Sequence, residues 1–154
     1  MSIDAGSPAP DFTLPTDGEG SLTLSALRGK KVILYFYPKD DTPGCTREAC
    51  AFQESLPDFS GANAAVVGVS KDSESSHRKF KTKYNLDFTL VSDGDGRVCE
   101  AFGVWVEKVN YGKTYFGIER STFLIDEQGV VRKVWRKVSV DGHAAKVLEA
   151  ARAL

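Results

Sequence analysis

Cysteine is scarce in this chain, with 3 in 154 residues. An odd handful is a poor basis for a framework of paired disulfides. Histidine is scarcer still, at 2, and no spacing joins either one to the cysteines as zinc ligands. Neither sign of charge dominates. The chain carries 20 basic and 21 acidic residues, a net of -1, so no basic excess suits nucleic acid or an anionic membrane. Long apolar runs are missing too, and nothing approaches the roughly 18 residues of a membrane span. MSIDAGSPAPDF has no basic n-region and no apolar h-region, so no signal peptide is read. The expectation is a cytoplasmic protein in a reducing compartment, where cysteines serve chemistry more than stapling. SDGDGR places Asp93 and Asp95 as a calcium loop would, but it lacks the third acidic ligand and the closing Glu, so it reads as a plain turn. No metal or other cofactor is expected.

What is present is an ordinary globule, 42% hydrophobic and 27% charged, long enough to bury a core. No repeat, low-complexity tract or linker interrupts it, and residues 1–154 are expected to form one domain. DFTLPTDGEGSLTLSAL alternates around a Gly-rich turn and predicts an N-terminal hairpin. KVILYFYP, at 31–38, and AAVVGVS, at 64–70, are continuously apolar, as strands buried on both faces are. The stretch from Thr42 to Phe59 reads as one helix, with Thr42 as N-cap, Pro43 at the first helical position, and Ala49, Phe52 and Leu56 at helical spacing. SESSHRKFKTKY, at 73–84, predicts a surface helix, with RKFKTK as a solvated face. DFTLVSD reads as a strand and GRVCEAFGV as a short helix. STFLID and VVRKVWRK flank the turn EQG as a hairpin, and GHAAKVLEAARAL closes the chain as an amphipathic helix. Strands alternating with helices give an α/β fold, a central mixed sheet with helices on both faces. A thioredoxin-like sandwich fits that order, extended by the N-terminal hairpin.

The chemistry concentrates in YFYPKDDTPGCTREAC, residues 35–50. Cys45 opens a helix directly after a buried strand, where open α/β sheets place ligands. Free N–H groups and the partial positive charge of a helix N-terminus favour a thiolate there. Lys39 and Arg47 lie close in sequence and add positive potential. Cys50 stands five residues on. On an ideal helix that spacing separates Cα atoms by about 140° around the axis and roughly 8.6 Å in space, beyond the roughly 7 Å a disulfide spans. The two sulfurs can bond only if the first turns of the helix unwind. Spacing alone leaves Cys50 equally a packed core residue. Cys99, near Phe102, reads as core, and His77 and His143 read as exposed. Trp105 and Trp135 read as core or hairpin residues, with Trp105 and Phe116 bordering the pocket. Arg120, by position alone, is a surface arginine ahead of a buried strand.

Pro38, Thr42 and Cys45 form the pattern P-x-x-x-T-x-x-C, and the chain around it resembles the peroxiredoxins of the Q type, or bacterioferritin comigratory proteins. The resemblance runs nearly end to end, through APDFTLP, YFYP, TPGCT, FTLVSD, VCEAFGVW and GKTYFGIERSTFLID. It implies a thiol peroxidase acting on hydrogen peroxide and organic hydroperoxides, and it implies a role for each matching residue. Cys45 attacks peroxide and becomes a sulfenic acid. Thr42 bonds thiolate and peroxide, Pro38 shields the pocket from water, and Arg120 polarises the O–O bond. Glu48 orients Arg120, and the N–H groups of Gly44 and Cys45 complete the cradle. Cys50 resolves the sulfenic acid as a disulfide, which an external dithiol, thioredoxin or similar, reduces. A monomer is implied as well. Two rival readings are a thiol–disulfide oxidoreductase, which would want the absent C-x-x-C, and a non-catalytic binding protein switched by a Cys45–Cys50 bond.

Overall fold

The computed structural model describes residues 3–18 and 20–154. Glu19, in the turn of the expected N-terminal hairpin, lies outside the described residues. The hairpin strands on either side are present, β1 (Thr13–Pro15) and β2 (Ser21–Thr23), paired antiparallel. A 3-10 turn at Leu24–Leu27 leads into β3 (Lys31–Phe36), all six of whose residues are buried. Then follow α1 (Pro43–Glu54), α2 (Leu56–Gly61), β4 (Ala64–Ser70), α3 (Glu74–Tyr84), β5 (Thr89–Ser92) and α4 (Arg97–Ala101). A second hairpin, β6 (Trp105–Asn110) and β7 (Lys113–Ile118), precedes β8 (Ser121–Ile125), β9 (Val131–Trp135) and α5 (His143–Arg152).

The main sheet runs β5-β4-β3-β8-β9. β3, β4 and β5 are parallel, while β8 and β9 run antiparallel to their neighbours. This is the mixed sheet of a thioredoxin-like fold. Because side chains alternate along a strand, β3 feeds two cores. Ile33 and Tyr35 pack with Phe52 of α1, Phe59 of α2, Phe80 of α3 and Val147 of α5. Val32, Leu34 and Phe36 pack on the other side with Cys99 of α4, Phe102 and Phe123. Gly68 interrupts β4 because the Tyr35 ring lies over it. A Cβ at Gly68 would stand 2.8 Å from Leu90 Cδ2 and 3.0 Å from the Tyr35 hydroxyl.

The structure departs from the sequence expectations at three places. The helix expected from Thr42 to Phe59 is broken at Ser55, because Pro57 has no N–H for the Gln53 carbonyl and its ring crowds the preceding turn. The β6–β7 hairpin is absent from the sequence reading. Its strands alternate only weakly, and its apolar residues Val109, Tyr111, Tyr115 and Phe116 are exposed. His77 and His143, read as exposed, are both buried.

His143 opens α5, with Nε2 2.8 Å from Thr122 Oγ1 on β8 and its ring edge-on to Phe52 and Trp135. Burial, helped by the nearby charges of Lys146 and Arg120, pushes its value down to about 4 from 6.5. The stability that depends on the neutral ring is therefore present above pH 6.5 and lost as pH falls through about 4. Compared with His143→Asn, the parent should lose about 2–3 kcal/mol more over that window in urea unfolding. A pH-independent difference between the two proteins would show that the ring is not held neutral.

Candidate active site

The site forms where the C-terminal end of β3 meets the start of β8. Phe36 pairs with Ser121, so Arg120, one residue before β8, stands beside the chain that leaves β3. That chain turns through Pro38, Lys39, Asp40 and Asp41 into α1. Pro43 occupies the first turn of the helix, where its missing N–H costs nothing. Thr42 has the extended backbone of an N-cap (φ -95°, ψ 156°), but its side chain does not cap. Its hydroxyl donates instead to the Lys39 carbonyl at 2.9 Å.

Cys45 lies in the first turn of α1 and is buried. Arg120 Nη2 donates to its Sγ at 3.3 Å, and Nη1 donates to Glu48 Oε1 at 2.7 Å. One planar guanidinium thus joins a sulfur and a carboxylate one helical turn apart. Among the described residues, no protein group accepts from the N–H of Gly44 or Cys45, which leaves both donors free at the helix N-terminus. Gly44 has a second role. A Cβ there would sit 3.1 Å from Arg120 Nη2, so glycine lets the guanidinium lie close against the helix.

The carboxylate is only half satisfied. Glu48 is buried and its Oε2 has no partner among the described residues. Burial pushes Glu48 up to about 7, with Arg120 pulling against that shift. Arg120 meets its own burial, which works against its charge, but the negative charges of Glu48 and Cys45 raise it overall.

The structure brings Thr42, Gly44, Cys45, Glu48 and Arg120 together. Pro38 lies exposed at the end of β3. Lys39 and Arg47 are exposed and neither bonds Cys45; the cation that touches the sulfur is Arg120. Lys108 on β6 escaped the sequence reading. Its ammonium donates to the Ile118 carbonyl, and burial together with the Arg120 charge lowers it, while the Cys45 sulfur pulls the other way. Trp105 is half-buried and Phe116 exposed on the same hairpin, and Trp105 carries the Lys71 ammonium 4.2 Å from its ring centre.

All three cysteines are free thiols. Cys50 is partly buried on the unbroken helix α1, and burial followed by the Glu54 charge raises its value. Cys99 is wholly buried on α4, as expected, and burial and Asp93 raise it far. Asp93, read as part of a plain turn, is buried and accepts from the N–H groups of Val98 and Cys99 at 3.2 and 2.8 Å. It closes the start of α4.

Residues 5–134 match the AhpC/TSA family. The chain is 61% identical over 148 residues to the putative peroxiredoxin bcp of Coxiella burnetii, covering 96% of this chain and 98% of that protein. It is 51% identical over 149 residues to peroxiredoxin Bcp of Bacillus subtilis, covering 97% and 95%. Among solved structures, it is similar to the Xanthomonas campestris bacterioferritin comigratory protein, studied for its alkyl peroxide reduction activity. The TM-score is 0.92 and the identity 48%, covering 97% of this chain and 98% of that one. With the fold, the cysteine at the head of α1 and this coverage in agreement, the chain belongs to the AhpC/TSA family and, within it, to the Q-type peroxiredoxins.

Proposed function

We propose that the chain is a thiol-dependent peroxidase in which Cys45 is the attacking sulfur, Cys50 the resolving one, and no metal or organic cofactor takes part. The observation that carries this reading is the Arg120 guanidinium, which touches both the Cys45 sulfur and the Glu48 carboxylate. A hydroperoxide would lie between that guanidinium, the free N–H groups of Gly44 and Cys45, and the Thr42 hydroxyl. Because the Thr42 proton is given to the Lys39 carbonyl, its oxygen is left to accept the peroxide O–H. Pro38 would cover the outer rim.

The Cys45 thiolate attacks the terminal peroxide oxygen. An S–O bond forms and the O–O bond breaks. The leaving alkoxide takes a proton and departs as alcohol, or as water from hydrogen peroxide. Donors fixed in advance stabilise the charge that moves onto the leaving oxygen. The Cys50 thiol then attacks the sulfenic acid, giving a disulfide and releasing water. On an intact helix the two Cα atoms are roughly 8.6 Å apart, so the turns between them must open first. An external dithiol of the thioredoxin type reduces the disulfide by exchange. Alkyl peroxide reduction by the Xanthomonas campestris relative supports organic hydroperoxides as substrates beside hydrogen peroxide. We place the enzyme in the cytoplasm as a monomer.

The direct experiment is to reduce the protein fully, add one equivalent of hydrogen peroxide, count thiols and map peptides by mass. A fall from three thiols to one, with Cys45 joined to Cys50, is expected. Three surviving thiols would end the peroxidase reading. Cys50→Ser should react once and then turn over poorly with thioredoxin. Gly44→Ala should press on the guanidinium and slow Cys45 oxidation about tenfold. Its stability should hold, because alanine suits a helix better than glycine by about 1 kcal/mol. An unchanged oxidation rate would show that the Arg120 position does not limit attack. Glu48 titrates in the opposite sense to His143. With its value raised from 4.5 to about 7, the stability it gives is present below pH 4.5 and lost as pH rises through about 7. Against Glu48→Gln, the parent should lose about 2–3 kcal/mol across that window. A gain instead would mean that pairing with Arg120 outweighs burial.

A further inference from the structure

A second buried polar cluster lies where the β3–α1 loop meets α3. His77, on α3, is fully buried. Its Nδ1 stands 2.7 Å from Asp40 Oδ2 and 3.4 Å from the Tyr37 hydroxyl, and its Nε2 stands 3.0 Å from the Val91 carbonyl on β5. A carbonyl oxygen only accepts, so Nε2 carries a proton. Asp40 is buried too. It takes the Tyr37 hydroxyl on Oδ1 at 2.5 Å and the Ser76 hydroxyl on Oδ2 at 2.8 Å. The His77–Asp40 pair is hydrogen-bonded and sealed in the interior. Of the charged and titratable groups nearby, Asp40 and Tyr37 face the ring directly. Asp72 acts at one remove, accepting from the Asp40 N–H at 2.9 Å and the Ser70 hydroxyl at 2.7 Å.

None of these groups is hydrogen-bonded to Cys45, whose sulfur accepts from Arg120. What they hold is the chain that presents it. Asp40 lies two residues before Thr42, and Asp41 between them has left-handed backbone (φ 56°). That conformation costs energy in a residue other than glycine, and Asp bears it better than most. Asp41 is fastened to the other end of α3, accepting from Lys83 Nζ at 2.9 Å and the Tyr84 hydroxyl at 2.7 Å. The loop is therefore pinned to α3 at two levels and closed on itself by the bond from Thr42 to Lys39.

We propose that His77 and Asp40 are positioning residues: a buried, hydrogen-bonded clamp that fixes the Lys39–Thr42 loop on α3 and so sets how fast Cys45 attacks a hydroperoxide. This rests on the peroxidase reading above. The clamp acts through Thr42, whose hydroxyl must meet the peroxide while the helix N-terminus meets the sulfur. It leaves the thiol's own access largely unchanged.

The test uses the full chain in the reduced state with hydrogen peroxide, and iodoacetamide as a second electrophile that needs no Thr42 contact. In His77→Gln and in Asp40→Asn, the second-order rate of Cys45 oxidation should fall at least about tenfold, while alkylation changes less than about twofold. A folded variant that oxidises at the parent rate, or that loses both rates equally, overturns the clamp. Either variant suffices if the other fails to fold. A parent whose Cys45 ignores peroxide but alkylates normally removes the peroxidase reading and the clamp's role together. A reactive parent with unaffected variants removes the clamp alone.

Discussion

The site depends on one guanidinium reaching across the sheet. Arg120 bonds partners 72 and 75 residues away in sequence, Glu48 and Cys45. Nothing local in the chain brings them together. The antiparallel register of β3 and β8 does, because pairing Phe36 with Ser121 sets Arg120 beside the exit of β3. A slip of one residue would send the arginine to the opposite face, since alternate side chains point to opposite sides. The two cores on either side of β3 hold that register, so aromatic packing far from the sulfur is what places the cation on it.

The arginine in turn explains features that would otherwise count against the fold. A buried glutamate with one unpartnered oxygen is a cost, as is a glycine inside a helix. Both fall on the guanidinium. Glu48 takes one end of its fork, and Gly44 clears room for the other. Local rules are broken where a fixed cation is worth more than the stability given up. Asp40 and His77 form a second buried polar pair, between the β3–α1 loop and α3, and there every side-chain polar atom has a partner.

Much of this was legible in the sequence, for reasons that differ by element. β3 and β4 announce themselves because strands covered on both faces need unbroken apolar runs. Thr42, Pro43 and Cys45 stand out because a helix start has local chemistry. The thioredoxin-like fold and the family follow from those segments and the blocks around them. The burial of His77 and His143 was not legible. Each sits among polar neighbours in sequence, and its partners, Asp40 and Thr122, lie 37 and 21 residues away. The β6–β7 hairpin was missed because its strands bury almost nothing outside the ends near Trp105 and Ile118. Pro57 was in plain view, but the helical spacing of Ala49, Phe52 and Leu56 outweighed it.

Helix α1 carries two demands that pull against each other. In the proposed mechanism, attack on peroxide needs its first two turns rigid, because Gly44, Cys45 and Glu48 all address Arg120 from there. A bond between Cys45 and Cys50 needs the same turns to open. The packing divides the helix accordingly. Its second half is nailed down, by Phe52 stacked 4.7 Å from Tyr35 and by Gln53 exchanging two hydrogen bonds with Asp87. The chain before it is pinned to α3 through Asp40 and Asp41. Between those anchors the first turns are held mainly by Cys45 and Glu48 on Arg120 and by the buried Ala49. In the proposed cycle, oxidising the sulfur would change the group that accepts from Arg120 Nη2. Opening can then stay local, because both ends of the segment are fixed by contacts that do not involve the sulfur.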